Sequence, residues 1–156
     1  MRLAVLAPLV LIGCSPLGSL IIVEFEQGGY PDGGVLTGRF TGEDTNLDGK
    51  IRFDAGENAQ RPEMRTFIAQ YRSERSTVNF EEDDLRTLTW TLGADVVGAS
   101  QDTEDGFSAI NENDTGLTVS GPGLTECGAG GPCGLVSIPG RAVLSTTFVA
   151  RRVTSR

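Results

Sequence analysis

Along this chain hydrophobic residues alternate with polar ones over short stretches, and the alternation restarts after each turn signal. In "SLIIVEFEQ" the residues Ile21, Val23 and Phe25 face one way while Glu24 and Glu26 face the other, the pattern of a half-buried strand. "GGYPDGG" (28–34) is turn chemistry, and the "VLTGRFTG" that follows places Leu36 and Phe40 on one face. In "LRTLTWTLG", Leu88, Trp90 and Leu92 alternate with Thr87, Thr89 and Thr91. "FSAINEN" and "GLTVSG" flank an Asn-Asp-Thr-Gly turn, and "RAVLSTTFVARRVT" alternates throughout. Short strands between Gly- or Asp-rich turns predict an all-β fold, an antiparallel sandwich or a small barrel, in a single domain over 19–156. One stretch fits two periods. "RPEMRTFIAQYRSER" puts Met64, Phe67, Ile68 and Tyr71 at helical spacing, a short helix around 62–72, yet Phe67, Ala69 and Tyr71 equally make a strand face.

The first residues have a different character. Arg2 precedes an apolar run from Leu3 to Ile12 that is too short to span a bilayer but suits an export signal. The run ends in Leu11-Ile12-Gly13-Cys14, which resembles the bacterial lipobox, where a small residue precedes a cysteine that is lipidated and becomes the first residue. The expectation is a lipoprotein-type signal over 1–13, lipid on Cys14 and a tether over 14–18. That leaves Cys127 and Cys133, with five residues between them, three of them glycine, as an even pair expected to form a disulfide in an oxidising compartment. A zinc site is not expected, because no further Cys or His completes a tetrahedron.

Charge narrows the function. The net charge is −8, Lys50 is the only lysine, and no basic run extends beyond Arg151–Arg152, so nucleic acid is not an expected partner. The chain has no histidine, which removes the usual general base and the usual near-neutral pH switch. Without His a Ser-His-Asp triad cannot be built, and no Ser-x-x-Lys run replaces it.

The stretch that carries chemistry is "TGEDTNLDGKIRFDAGE" (41–57). With Asp44 as position one of a calcium loop, Asn46 and Asp48 fall at three and five. Gly49 at six allows the sharp turn, Lys50 at seven lends its carbonyl, and Ile51 at eight enters the core. Position twelve, where a bidentate Glu belongs, is Ala55; Asp54 lies one residue early and Glu57 two residues late as alternative final ligands. An extracellular calcium site needs a dissociation constant of only about 10⁻⁴–10⁻³ M, so a weak shell suffices. The other reading of the same residues is a plain Asx-rich turn between strands.

"LTGRFTGEDTNLDGKI", followed by "DDLRTLTWTLG", resembles a group of small exported bacterial proteins, many of which carry a PEP-type (exosortase-associated) sorting signal and are of unknown function. The resemblance covers about residues 35–93 and rests on a Gly/Thr-rich strand, a D-x-N-x-D-G-x-I loop and a later Asp-Leu strand ending in Leu-Gly. It implies a strand rather than a helix for 64–72. In that group a Glu within a Ser-Glu-Leu run commonly fills the twelfth loop position, where this chain has "FDAGENAQRPEM". Its C-terminus, "VSIPGRAVLSTTFVARRVTSR", has no Pro-Glu-Pro.

Together these readings predict an exported β-domain of the bacterial cell envelope, membrane-anchored through an N-terminal lipid or secreted, with a calcium-stabilised loop and a structural or adhesive role. No enzyme is expected. The rival is a polysaccharide-binding module or glycan-active enzyme using the acidic loops, "EEDD" (81–84) and "QDTEDG" (101–106), with Trp90 as a sugar platform. Asp102, Glu104 and Asp105 also stand as a second candidate cation site, against the simpler reading of a hairpin turn. The expected partners are the membrane and extracellular polysaccharide or protein.

Overall fold

The computed structural model describes residues 20–56, 63–93, 105–113, 115–120, 133–141 and 144–146. Their strands are β1 (Ile21–Gln27), β2 (Val35–Gly42), β3 (Lys50–Asp54), β4 (Met64–Arg72), β5 (Thr77–Phe80), β6 (Leu85–Thr91), β7 (Gly106–Ile110), β8 (Gly116–Ser120), β9 (Cys133–Ser137) and β10 (Leu144–Thr146), with one 3-10 turn at Glu82–Asp84. They form two antiparallel sheets, a four-stranded one in the order β1-β2-β4-β5 and a six-stranded one in the order β10-β9-β8-β7-β6-β3. Both are open among the described residues, so the fold is an all-β sandwich and the small-barrel alternative is set aside. Among the described residues no helix is long and apolar enough to cross a membrane. The 1–13 signal, Cys14, the tether and Cys127 lie outside the described residues; Cys133 opens β9.

The helix alternative for 62–72 is corrected: Met64–Arg72 is a strand paired with β2. A β-bulge explains the helical spacing. Thr41 pairs with Thr66 and Gly42 with Met64, so Arg65 is an extra residue and the strand's face flips once. Met64 and Phe67 thereby both point inward at a spacing of three, after which strict alternation buries Ala69 and Tyr71. Ile68, which a helix would have buried, is 58% exposed. β6 repeats the device: Leu85 pairs with Ala109 and Thr87 with Ser108, and Leu85 and Leu88 are both buried across the extra Arg86.

The two sheets meet through aromatic rings. Phe107 of β7 lies 5.2 Å from Phe25 of β1 and 5.3 Å from Phe67 of β4, centroid to centroid. Trp90 of β6 meets Phe40 of β2 edge-to-face at 5.7 Å. Phe25 faces Gly38 across the β1–β2 ladder, and its ring fills the space a side chain there would need, since a Cβ on Gly38 would sit 2.1 Å from the Phe25 Cζ.

Gly38→Ala is therefore expected to force the Phe25 ring out of its rotamer. It should lower stability by about 1–3 kcal/mol, the usual cost of overpacking. The reading is a lower urea midpoint at unchanged slope. Adding Phe25→Leu to Gly38→Ala should give less loss than the two single changes summed.

Candidate cation loop at the crossing between sheets

The loop 43–49 is where the chain leaves the four-stranded sheet at Gly42 and enters the six-stranded one at Lys50. It is wound by its own side chains. Asp44 is buried, and its Oδ1 accepts the Asp48 N–H at 3.1 Å while its Oδ2 accepts the Gly49 N–H at 2.9 Å. Asn46 Oδ1 accepts the Asp48 N–H at 2.8 Å, and Asp48 Oδ1 accepts the Lys50 N–H at 2.9 Å. Gly49 takes φ 82°, a backbone that glycine adopts without strain. Leu47, at the tip, holds φ 61° and is 69% exposed, a conformation that costs a non-glycine residue about 1–2 kcal/mol.

The three expected side-chain ligands of the loop's first half, Asp44, Asn46 and Asp48, are thus brought together. Lys50 joins them through its backbone: Gly49 O receives the Leu92 N–H from the β6 side, whereas the Lys50 N–H points to Asp48. In an antiparallel ladder a residue's N–H and C=O share a side, so the Lys50 carbonyl points away from β6, on the open-edge side where Asp48 accepts the Lys50 N–H. Of the second half of the expected site, the described residue Asp54 is placed elsewhere. β3 runs straight on from Lys50, and Asp54 stands four residues along it, about 13 Å away at strand rise. Its exposed carboxylate accepts the Gly56 N–H at 2.8 Å. Glu57 lies outside the described residues. Among the described residues no three acidic, His or Cys side chains form a ready-made metal cluster. The donor set in the loop is two carboxylates, one amide and one carbonyl, with water left to complete a calcium shell.

Two residues that sequence reasoning passed over close the loop. Glu63, just before β4, is buried at 5% exposure. Its Oε1 accepts the Thr45 N–H at 3.2 Å, the Thr45 hydroxyl at 3.4 Å and the Asn46 N–H at 3.4 Å. Its Oε2 accepts the Arg52 N–H on the open edge of β3 at 3.0 Å, and its own carbonyl accepts the Glu43 N–H at 2.8 Å. One carboxylate therefore ties the outgoing crossing, the edge strand and the returning crossing. The second residue is Arg52, whose Nη1 donates to Asp48 Oδ2. Burial pushes the Asp48 carboxyl up, but the Arg52 guanidinium and the Lys50 amide outweigh it and hold the group below its ordinary value.

The rival's residues are not brought into one site. Trp90 is 1% exposed and packs on Phe40, a core position for an alternating strand residue that counts against its use as a sugar platform. The acids of 81–84 form a capped turn in which Asp84 Oδ2 accepts the Glu81 N–H at 2.8 Å. Asp105 is buried, with the Thr91 hydroxyl donating to its Oδ1 at 3.0 Å, while Asp102 and Glu104 lie outside the described residues. At another turn Asp32 accepts the Tyr71 hydroxyl and, at 3.1 Å, the Gly34 N–H. Burial again pushes Asp32 up, yet the Tyr71 and Ser73 hydroxyls and the Gly34 amide bring it below the usual carboxylate value. Burial and the Asp32 carboxylate drive the Tyr71 hydroxyl well above the ordinary tyrosine range.

In comparison with known proteins, no family, no curated protein and no solved structure matches the chain.

Glu63→Gln replaces one carboxylate oxygen by an NH₂ that faces N–H donors. The expected loss is about 1.5–3 kcal/mol of stability, the range for hydrogen bonds to a charged acceptor, read by urea unfolding. A second expectation concerns acid. Asp32 titrates lower folded than unfolded, so its contribution is complete above its ordinary value of 3.8 and is lost as pH falls through the lower folded value. Tyr71→Phe removes the strongest hydrogen bond holding it there. Stability followed from about pH 5 to about pH 2.5 should then fall less steeply than in the parent.

Proposed function

We propose that this protein is an exported domain of the bacterial cell envelope, anchored by lipid on Cys14, with a structural or adhesive role and a loop that binds calcium. The observation that carries the calcium reading is the crossing itself: Asp44, Asn46 and Asp48 turn their oxygens into one loop, and the Lys50 carbonyl points to the same side. An amide N–H occupies one lone pair of a carboxylate oxygen and leaves another for a cation. In this reading Asp44, Asn46, Asp48 and the Lys50 carbonyl hold the ion, and water takes the positions left by the absent twelfth-position carboxylate. An ion there offsets the repulsion of Asp44 and Asp48 and stiffens a segment that belongs to both sheets. Such a shell binds in the range about 10⁻⁴–10⁻³ M, which calcium outside the cell can fill.

A second reading, glycan recognition, keeps one observation in its favour. Glu81, Asp83, Asp84 and Glu112 line a cleft of about 630 Å³ together with Asn79 and Asn111. Carboxylates and amides of this kind hydrogen-bond hydroxyl groups, and saturation binding of neutral and amine-bearing oligosaccharides decides that reading.

The calcium reading predicts that the melting temperature of the full chain rises through a millimolar calcium series after EDTA, while that of Asp48→Ala does not. Only an ion that binds the native state preferentially shifts unfolding in this way. Flat curves for both leave the loop as an Asx-rich turn.

A further inference from the structure

We propose that Arg52 is a tethered cation that occupies the outer oxygen of Asp48 until calcium displaces it, and thereby sets the calcium concentration at which the loop fills. The inference rests on the calcium reading above and assigns that site its regulation.

Among the loop oxygens, those of Asp44 face amide N–H groups, and Asp48 Oδ1 faces the Lys50 N–H. With respect to the described residues, Asp48 Oδ2 is the one proposed ligand oxygen that has a guanidinium against it, that of Arg52. The difference is chemical. Amide dipoles continue to donate when a cation arrives and help to aim the carboxylate, whereas a guanidinium competes for the lone pair and repels a divalent ion. Arg52 is also placed to swing. Its backbone is held by the bond from its N–H to Glu63 at 3.0 Å, while its side chain is 42% exposed and can release Asp48 into water. Displacement therefore moves one side chain and leaves the ladder intact. An exposed pair of this kind is weak, so it shifts calcium affinity without abolishing binding. In a calcium-poor compartment the arginine neutralises Asp48. Where calcium reaches millimolar levels, the ion takes its place.

Arg65 provides the comparison. It is an arginine of β4, in the other sheet, that pairs at 3.2 Å with Glu43, a residue of the same loop that is not a proposed ligand. The experiment is calorimetric titration of calcium chloride into the full chain and into Arg52→Gln, Arg52→Lys, Arg65→Gln and Asp48→Ala. The Arg52 backbone bond survives its substitutions. Arg52→Gln should bind calcium roughly three- to tenfold more tightly than the parent, the scale expected from losing an exposed charge pair and its repulsion. Arg52→Lys, which keeps the charge, should stay near the parent, Arg65→Gln should shift affinity by less than about twofold, and Asp48→Ala should not bind. Equal affinities for the parent and Arg52→Gln, or an equal shift in Arg65→Gln, overturn the role given to Arg52 and leave the calcium site standing. Absence of binding in every protein, Arg52→Gln included, overturns the site as well. If Arg52→Gln does not fold, Arg52→Ala takes its place in the titration: tighter calcium binding than the parent supports the proposal, and parental affinity overturns it.

Discussion

The arrangement turns on one buried carboxylate. A sandwich must carry its chain between sheets, and each crossing leaves backbone donors that no ladder satisfies. Here two successive crossings, β2 to β3 and β3 to β4, come together at Glu63. Its side chain accepts N–H groups from Thr45, Asn46 and Arg52, and its carbonyl accepts that of Glu43. A charged acceptor surrounded by several amide donors is a strong arrangement for a buried acid, because the bonds offset much of the cost of removing it from water. It also takes up the Arg52 N–H on the open edge of β3, where an unpaired strand donor would invite another chain.

That geometry gives the acidic loop its mechanical meaning. A turn within a hairpin would report only on its own two strands. This one joins the sheets beside Ile51, which is fully buried and registered against Trp90. Trp90 in turn meets Phe40 of the opposite sheet. An ion or a guanidinium acting on Asp48 therefore acts on the corner from which the core is built. Such coupling suits the structural role proposed for this domain.

Much of the sandwich was legible because its strands alternate and its turns are rich in glycine and aspartate. The stretch 64–72 was ambiguous for a physical reason: the bulge at Arg65 places Met64 and Phe67 on one face at a spacing that also belongs to helices. The first half of the loop was legible because its contacts are local, spanning two to five residues from Asp44 to Gly49. Its last ligand was not. Counting to a twelfth position assumes a chain that curls back after the loop, and β3 instead carries Asp54 away from it. Glu63 could not be read at all, since its bonds to Thr45 and Asn46 cross 18 and 17 residues and depend on which strands pair. The same holds for Tyr71 and Asp32, which are 39 residues apart. The alternation that marked Trp90 as a strand residue also placed it in the core, and that is where it lies.

Glu63 fastens the loop and the β3 edge to the returning strand. Native-state hydrogen exchange of the Arg52, Thr45 and Asn46 amides tests it directly. Although Arg52 lies on the open edge of its sheet, its amide should exchange only through large-scale unfolding, with protection near that of the central strands, and Thr45 and Asn46 should share its opening energy. Exchange of the Arg52 amide at the rate of an open edge, independent of the other two, would contradict the account.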